Sequence, residues 1–266
     1  MSEPVREPVR YDVEQGVATI TLDRPEAMNG LDVPTKEALL AAVRRAAEDT
    51  GVRCVVLTGS GRAFCVGQDL KEHLATLDDT DAPPLDTVRQ HYNPIVTTIA
   101  TMPKPVVAAV NGVAAGAGVS LALACDLRVV AEPAGFNLAF AGIALSCDTG
   151  SSWTLPRLVG RARALELLYF PRTIGSEEAL ALGLVTRVVP VEQLAEEVGT
   201  LARRLADGPT AAYGAIRRSV EHAGGHSFTE ALAFEAEMMA MTGQTQDHRA
   251  AVSAFVEKRK PEFEGR

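Results

Sequence analysis

The spacing of hydrophobic positions changes about halfway along the chain. In the first part, short and nearly unbroken apolar runs predict buried strands at residues 17–22, 52–57, 105–110 and 126–131. A shorter strand at 11–13 joins the first of these through the turn residues 14–16. Helical spacing of apolar residues marks the segments 34–48, 88–99 and 115–124. Strands alternating with helices predict an α/β fold with a mostly parallel sheet.

Helical spacing dominates the rest of the chain. The predicted helices are residues 150–158, 162–170, 176–182, 191–206, 210–223, 228–241 and 245–258, with one strand at 185–189. The helix at 191–206 carries an apolar stripe of Leu194, Val198, Leu201 and Leu205. We expect this helical tail, including the stripe, to lie at the subunit interface of a homotrimer or homohexamer. Residues 76–84 are polar and proline-rich, which predicts a surface loop.

Composition excludes several classes of protein. The chain has 266 residues and a formal net charge of −8, which disfavours a nucleic-acid-binding protein, although a local basic patch can still bind an anion. Its four cysteines form no CxxC pair, so they predict reduced core residues and not a zinc site or a redox motif. The polar first residues show no signal peptide, and we expect a cytoplasmic protein.

One uncharged stretch, residues 106–125, is long enough to cross a membrane and contains a GxxxG spacing. Its Asn111-Gly112 pair is a turn signal, and the glycines divide the stretch into a strand and a separate helix. We therefore predict that this stretch is buried inside the protein and that the chain has no membrane partner.

The polar cluster at residues 148–153 offers the clearest candidate for chemistry. Asp148 follows the almost apolar residues 143–147, and a carboxylate in such surroundings can have a raised pKa suited to acid–base catalysis near neutral pH. Asp is also common at helix N-caps, so the spacing by itself favours Asp148 as the cap of a helix that begins near Thr149. The catalytic interpretation stays open beside it.

Two glycine-rich segments follow predicted strands. In residues 112–118, backbone N–H groups at the start of a helix can bind an oxyanion, or the glycines can serve close packing of a helix on a strand. Residues 58–69 form neither a P-loop nor a dinucleotide fingerprint, because the required lysine and opening helix are missing. The five histidines do not cluster, and Gly224 and Gly225 separate His222 from His226, so we expect no metal site.

Several segments together resemble the crotonase superfamily, the enoyl-CoA hydratase/isomerase family. They follow the family's order and usual spacing over nearly the whole chain, and they are residues 22–29 (LDRPEAMN), 55–70 (VVLTGSGRAFCVGQDL), 103–112 (PKPVVAAVNG), 125–128 (CDLR) and 254–263 (AFVEKRKPEF). The resemblance implies a β/β/α spiral, with residues 1–195 as the catalytic core and 196–266 as a C-terminal helical region for trimer formation.

The same resemblance implies an acyl-CoA thioester as substrate, with coenzyme A as part of it and no separate cofactor. The family's two oxyanion-hole N–H groups fall at Gln68 and Ala117. Arg24 and Lys71 match positions near the CoA phosphates and adenine, and Phe255 and Lys258 match positions that reach a neighbouring subunit's CoA. The remaining expected substrate contacts are Ala27, Ala63, Cys65, Gly67, Asp69, Leu70, Gly116, Ser120 and Phe140.

The chain departs from the hydratases of this family at both catalytic glutamates. Ser120 stands at the first position and Phe140 at the second. Asp148 remains, at a position where double-bond isomerases and an epoxyphenylacetyl-CoA isomerase of the family carry a catalytic aspartate. Residues 143–157 look most like that isomerase group, which favours an enoyl-CoA isomerase. Hydration, nucleophilic use of Asp148 and a non-catalytic acyl-CoA-binding trimer are the alternatives.

Overall fold

A six-stranded sheet forms the centre of the protein. The computed structural model describes residues 7–77 and 85–266. In chain order, the strands of this sheet are β1 (Val9–Glu14), β2 (Val17–Leu22), β3 (Cys54–Gly59), β5 (Val106–Val110), β7 (Leu127–Ala131) and β10 (Arg187–Val189). This is also their spatial order, with β1 antiparallel to β2 and all other neighbours parallel. The mostly parallel sheet predicted from the apolar runs is confirmed.

A second, four-stranded sheet was not predicted. Its strands are β4 (Ala63–Cys65), β6 (Val113–Ala115), β8 (Gly135–Asn137) and β9 (Ile174–Gly175), in that spatial order. Each has only two or three residues, which is too short for a hydrophobic period to register. This sheet carries the functional loops, because β4 leads to Gln68 and β6 leads directly to Ala117.

Eleven α-helices surround the sheets within the described ranges. They are α1 (Val33–Glu48), α2 (Leu70–Leu77), α3 (Asn93–Thr101), α4 (Ala117–Ala124), α5 (Ser151–Val159), α6 (Arg161–Tyr169), α7 (Ser176–Ala181), α8 (Leu194–Ala206), α9 (Thr210–Ala223), α10 (Phe228–Gly243) and α11 (Gln246–Val256). A π-helical turn, Val88–Tyr92, begins the helix predicted at 88–99. Helix α2 was not predicted and takes in residues 76 and 77 of the expected loop; residues 78–84 lie outside the described part.

The predicted role of the α8 stripe is wrong. Leu194 and Val198 are buried, and Leu201 and Leu205 pack beside them, against strands β3, β5 and β7 of the same chain. The stripe therefore covers one face of the central sheet, whose largely buried inner strands β3, β5 and β7 need helices on both faces. The predicted division between residues 195 and 196 falls inside this helix.

Residues 106–125 form a strand, a turn, a second short strand and a helix. The division into a strand and a helix was predicted from the turn signal, and the second strand was not. Across the described ranges, no helix combines the length and apolar content that a membrane span requires.

The last helices form a hairpin that leaves apolar side chains in solvent. Helix α9 packs against α10, which in turn contacts α11. Asp247 fastens the chain end, since its buried carboxylate accepts hydrogen bonds from the backbone N–H groups of Glu264 and Gly265. On the outer surface, Val220, Phe228 and Phe255 are 70%, 78% and 85% exposed. Such a surface is typical of an interface with another protein.

Candidate active site

A cavity of about 470 Å³ lies between the two glycine-rich loops, the π-helical turn and the segment before α5. Its walls are mainly apolar. The lining residues are Val66, Gln68, Leu70, His73, Leu85, Thr87, Val88, Tyr92, Gly116, Ala117, Ala139, Phe140, Ile143, Leu145, Ser146, Cys147 and Asp148. Asp148 is the one carboxylate among these residues. A largely apolar pocket with a few polar groups is the usual form of a small-molecule site.

Gln68 and Ala117, the two predicted oxyanion donors, both line this cavity. Leu31 bridges to Gln68 by bonding to the carbonyl of Gly67 and the N–H of Asp69, so the Gln68 N–H points away from Leu31. Ala117 is the first residue of α4, where a helix N–H has no acceptor within the helix. Neither N–H has a hydrogen-bond acceptor among the described residues.

Glycines bring the two loops together. A Cβ at Gly67 would lie 3.1 Å from the Ala117 nitrogen, and Gly67 has a φ of +82°. At Gly118 a Cβ would lie 2.0 Å from the carbonyl oxygen of Cys65, and at Gly112 it would lie 2.1 Å from that of Arg62. Residues 112–118 therefore show both predicted features. The glycines permit close packing, and the N–H of Ala117 has no acceptor among the described residues.

Asp148 lies half-buried in the cavity wall, at the end of the segment 139–148 that precedes α5. It does not cap α5, because Gly150 is the N-cap and the Asp148 side chain instead accepts a hydrogen bond from the Thr149 hydroxyl at 2.8 Å. Burial raises the pKa of the Asp148 carboxyl, and the hydrogen bond from Thr149 lowers it by less. This direction agrees with the raised pKa that the apolar residues before Asp148 suggest, and a carboxylate with a raised pKa is a stronger base than an exposed one.

The chain is similar to known proteins over nearly its whole length. The enoyl-CoA hydratase/isomerase family model matches residues 12–266. The chain belongs to this family. It is 45% identical over 97% of its length to a "Probable enoyl-CoA hydratase" of Rhodobacter capsulatus, covering 98% of that protein. It is 41% identical over 96% of its length to the 1,2-epoxyphenylacetyl-CoA isomerase of Escherichia coli, covering 97% of it.

A solved structure shows the same fold. The enoyl-CoA hydratase of Bacillus anthracis superposes with a TM-score of 0.88 at 33% identity, covering 97% of this chain and all of that one. The crotonase-type α/β fold predicted from the motifs is therefore confirmed. The protein is an enzyme of a family that acts on acyl-CoA thioesters, and both hydratases and isomerases are among its relatives.

The two positions at which hydratases of the family carry glutamates differ in their relation to the cavity. Phe140 lines it and contributes apolar surface. Ser120 is fully buried and does not line it; its Oγ lies 2.5 Å from that of Ser151, which is also fully buried. Neither side chain supplies a carboxylate.

The other predicted contact residues are spread more widely. Gln68, Leu70, Gly116, Phe140 and Asp148 come together around the cavity with Ala117. The further predicted residues lie as follows: Ala27 in a 3₁₀ turn, Ala63 and Cys65 fully buried in β4, Gly67 and Asp69 beside Gln68, and Lys71 exposed on α2. Burial raises the pKa of the Cys65 thiol to about 12, so this cysteine is a core residue and not a nucleophile.

Arg24 takes part in contacts within the chain. Its guanidinium lies 3.0 Å from Asp32 and 3.3 Å from Asp69. Phe255 and Lys258 lie at the exposed end of α11, with Lys258 at a φ of +56°. His222 and His226 stack with ring centroids 3.7 Å apart, and no group of three or more potential metal ligands occurs in the described ranges.

Sequence reasoning missed Lys36 and Tyr92, which form hydrogen bonds with the Gln68 side chain. Lys36 is fully buried on the same face of α1 as Leu39 and Val43. A lysine on the apolar stripe of a helix is the signal that could have found it, since lysine is rarely buried without a partner. In the sequence, Tyr92 is indistinguishable from an ordinary aromatic residue of the core, so no pattern marks it as functional.

Proposed function

We propose that the protein is an enoyl-CoA isomerase that moves a double bond by proton transfer through Asp148. The observation that carries the proposal is that Asp148 is the one carboxylate among the described residues of a mainly apolar cavity. Gln68 and Ala117 line the same cavity, and their backbone N–H groups are the proposed donors to the thioester oxygen. One base and two donors are sufficient for this reaction.

The proposed reaction has two proton transfers. Asp148 first takes a proton from a carbon of the acyl chain, and the electron pair moves into the thioester carbonyl to give an enolate. The enolate oxygen accepts hydrogen bonds from Gln68 and Ala117, each worth about 3 kcal/mol of barrier in comparable oxyanion holes. The same proton then returns to a different carbon, so that no atom is gained or lost. The raised pKa of Asp148 suits both steps.

The composition of the cavity disfavours a two-carboxylate hydration. Such a mechanism needs one group to activate water and a second to donate a proton. Phe140 and Ser120 occupy the two glutamate positions, and Ser120 is hydrogen-bonded to Ser151 behind the cavity wall. Addition of water would have to proceed through Asp148 alone.

Turnover in ¹⁸O-labelled water tests the proposal. Purified protein is first offered a series of enoyl-CoA thioesters of different chain length, and a thioester that is converted is then used in labelled water. We expect a product of unchanged mass and no label in the Asp148 peptide after a single turnover. Label in the product would indicate hydration, and label in Asp148 an ester intermediate. Binding of thioesters without conversion of any would indicate a non-catalytic protein.

We also propose a homotrimer or homohexamer in which the α9–α11 hairpin contacts a neighbouring chain. The exposed apolar side chains of this hairpin support it, and an open groove of about 820 Å³ beside Trp153, Ile216 and Val220 offers a place for the neighbour. Phe255 and Lys258 would then reach the CoA of that neighbour, with Lys71 near the CoA phosphates. The cytoplasmic location stays a prediction.

A further inference from the structure

The side-chain amide of Gln68 lies at the meeting point of three separate segments. Its Oε1 accepts hydrogen bonds from Nζ of Lys36 on α1, at 3.2 Å, and from the hydroxyl of Tyr92 in the π-helical turn, at 2.7 Å. Its Nε2 donates to Oε1 of Glu72 on α2, at 3.0 Å. A side chain held from three directions has little freedom to change rotamer.

Lys36 is the unusual member of this group. It is 0% exposed, and burial of a lysine is costly unless its donors find acceptors. Its Nζ has three, because it donates to Oε1 of Glu72 at 3.0 Å and to the hydroxyl of Thr87 at 2.8 Å as well as to Gln68. Three acceptors match the three donors of an ammonium group. The network is therefore complete and ties α1 to two walls of the cavity.

Tyr92 connects the network with the cavity surface. Tyr92 lines the cavity, and its hydroxyl donates a hydrogen bond to Oε1 of Gln68. The residue is 2% exposed, and burial raises the pKa of its hydroxyl above the ordinary value, so the proton needed for donation stays in place.

The network acts on a residue whose backbone is already held on one side. Leu31 bonds to the two peptide groups that flank Gln68, and the Gln68 N–H points away from it. We propose that Lys36 and Tyr92 are positioning residues that hold the Gln68 backbone N–H toward the substrate carbonyl by fixing the Gln68 side chain. This inference rests on the proposed role of that N–H as an oxyanion donor.

The proposal gives the Gln68 side chain a role that a backbone donor alone does not need. Gln68→Ala keeps the N–H but removes the contacts to Lys36, Glu72 and Tyr92. Hydrogen bonds weaken steeply when the donor is misaligned, and small misplacements at a reacting centre have large effects on rate. We therefore expect Gln68→Ala and Tyr92→Phe to impair polarisation of the thioester carbonyl.

A chromophoric thioester measures that polarisation without turnover. Dimethylaminocinnamoyl-CoA absorbs at longer wavelength when donors polarise its carbonyl, and it can be bound to protein carrying Asp148→Asn to exclude proton transfer. We expect a red shift with Asp148→Asn alone, and a clearly smaller shift when Tyr92→Phe or Gln68→Ala is added. Tyr11→Phe is the matched control, because the buried Tyr11 hydroxyl has no hydrogen-bond partner among the described residues; it should leave the shift unchanged.

Kinetics and stability give the second readout in protein that retains Asp148. Tyr92→Phe should lower kcat by about tenfold, corresponding to one lost hydrogen bond, with KM altered less than about twofold. Lys36→Met should lower kcat at least as much if it folds, as judged by thermal unfolding. If Lys36→Met does not fold, the kinetic test of the positioning role rests on Tyr92→Phe.

Different results would overturn the positioning role and the oxyanion role of Gln68. An unchanged red shift and an unchanged kcat in folded Tyr92→Phe and Gln68→Ala would overturn the positioning role and leave the proposed oxyanion hole intact. Absence of a red shift on binding to Asp148→Asn alone would overturn the oxyanion role of Gln68, and the positioning role with it.

Discussion

The hydroxyl of Thr149 donates a hydrogen bond to Oδ1 of Asp148, its neighbour in the chain, at 2.8 Å. Thr149 has a φ of +52°, an uncommon conformation for a β-branched residue, and is 2% exposed. Strained backbone of this kind is often found at functional sites. Here it places a hydrogen-bond donor beside the Asp148 carboxylate. Burial raises the pKa of this carboxylate.

Thr149→Val should move the acid limb of the pH–rate profile to higher pH. The hydrogen bond from Thr149 stabilises the ionised carboxylate and so lowers the pKa of Asp148 against the larger effect of burial. Asp148 acts as a base only when ionised, so activity falls as the pH drops through its pKa. Without the hydroxyl the pKa is higher still, and the fall begins at higher pH.

Thr149→Ser is the matched control, because it keeps the hydroxyl. Measurement of kcat/KM against pH for parent and both variants checks the prediction. Identical acid limbs in the parent and Thr149→Val would show that Asp148 ionisation does not govern the rate.

Ser120→Ala should affect stability more than catalysis. Ser120 and Ser151 hydrogen-bond to each other in a fully buried position away from the cavity lining. Loss of one partner leaves a buried hydroxyl less well satisfied, at a cost of about 1–3 kcal/mol in unfolding free energy. We expect kcat to change less than about threefold.

The double variant Ser120→Ala/Ser151→Ala separates the two effects, since removal of both hydroxyls should cost less than the sum of the single changes. Denaturant unfolding and steady-state rates provide the measurements. A fall in kcat of a hundredfold in stably folded Ser120→Ala would mean that this serine takes part in the chemistry.

Lys258→Ala should weaken CoA binding by about two- to fivefold at low salt, and by less at high salt. Lys258 is exposed at the end of α11, and contacts between exposed charges are weak and screened. Titration of CoA by calorimetry at two salt concentrations measures the effect, with Lys260→Ala as a control from the same charged run. Equal affinities of the parent and Lys258→Ala at low salt would rule out the proposed contact between Lys258 and CoA.

Val220→Glu combined with Leu232→Glu should convert the assembly into monomers. These side chains are 70% and 48% exposed on the α9–α10 hairpin, and buried charges at an interface are costly. Val13→Glu, at a 46% exposed position on β1, is the control and should leave the assembly intact. Sedimentation equilibrium gives the number of chains. A parent protein that is monomeric at micromolar concentration would contradict the proposed trimer or hexamer.

Sequence patterns were most informative where an element is long and its surroundings simple. The apolar runs at β2, β3, β5 and β7 and the periodic helix α9 lie where the pattern placed them, to within two residues. The strands of the second sheet were not predicted because two or three residues are too few for a hydrophobic period to register. The α8 stripe was assigned to a subunit interface because periodicity shows which face is apolar and not what covers it.

The candidate site was also predicted only in part. Gln68 and Ala117 were predicted from the motif resemblance, and Asp148 from its apolar approach together with that resemblance. All three line one cavity. The cap alternative for Asp148 could not be decided from spacing, because the helix begins after a residue with positive φ at Gly150, which a sequence does not display. Lys36 was not predicted as part of the site, because its hydrogen-bond partners at residues 68, 72 and 87 come together only through tertiary packing.

Comparison of Asp148→Asn with the parent protein, on a thioester that the parent isomerises, tests the central claim most directly. We predict a fall in kcat of about 10²- to 10⁴-fold, the usual contribution of a positioned acid–base group. Because burial raises the pKa of Asp148, its ionised form destabilises the folded state above that pKa, so the neutral asparagine should unfold at the same or a higher temperature near pH 7. A folded Asp148→Asn variant with nearly full activity would contradict the account.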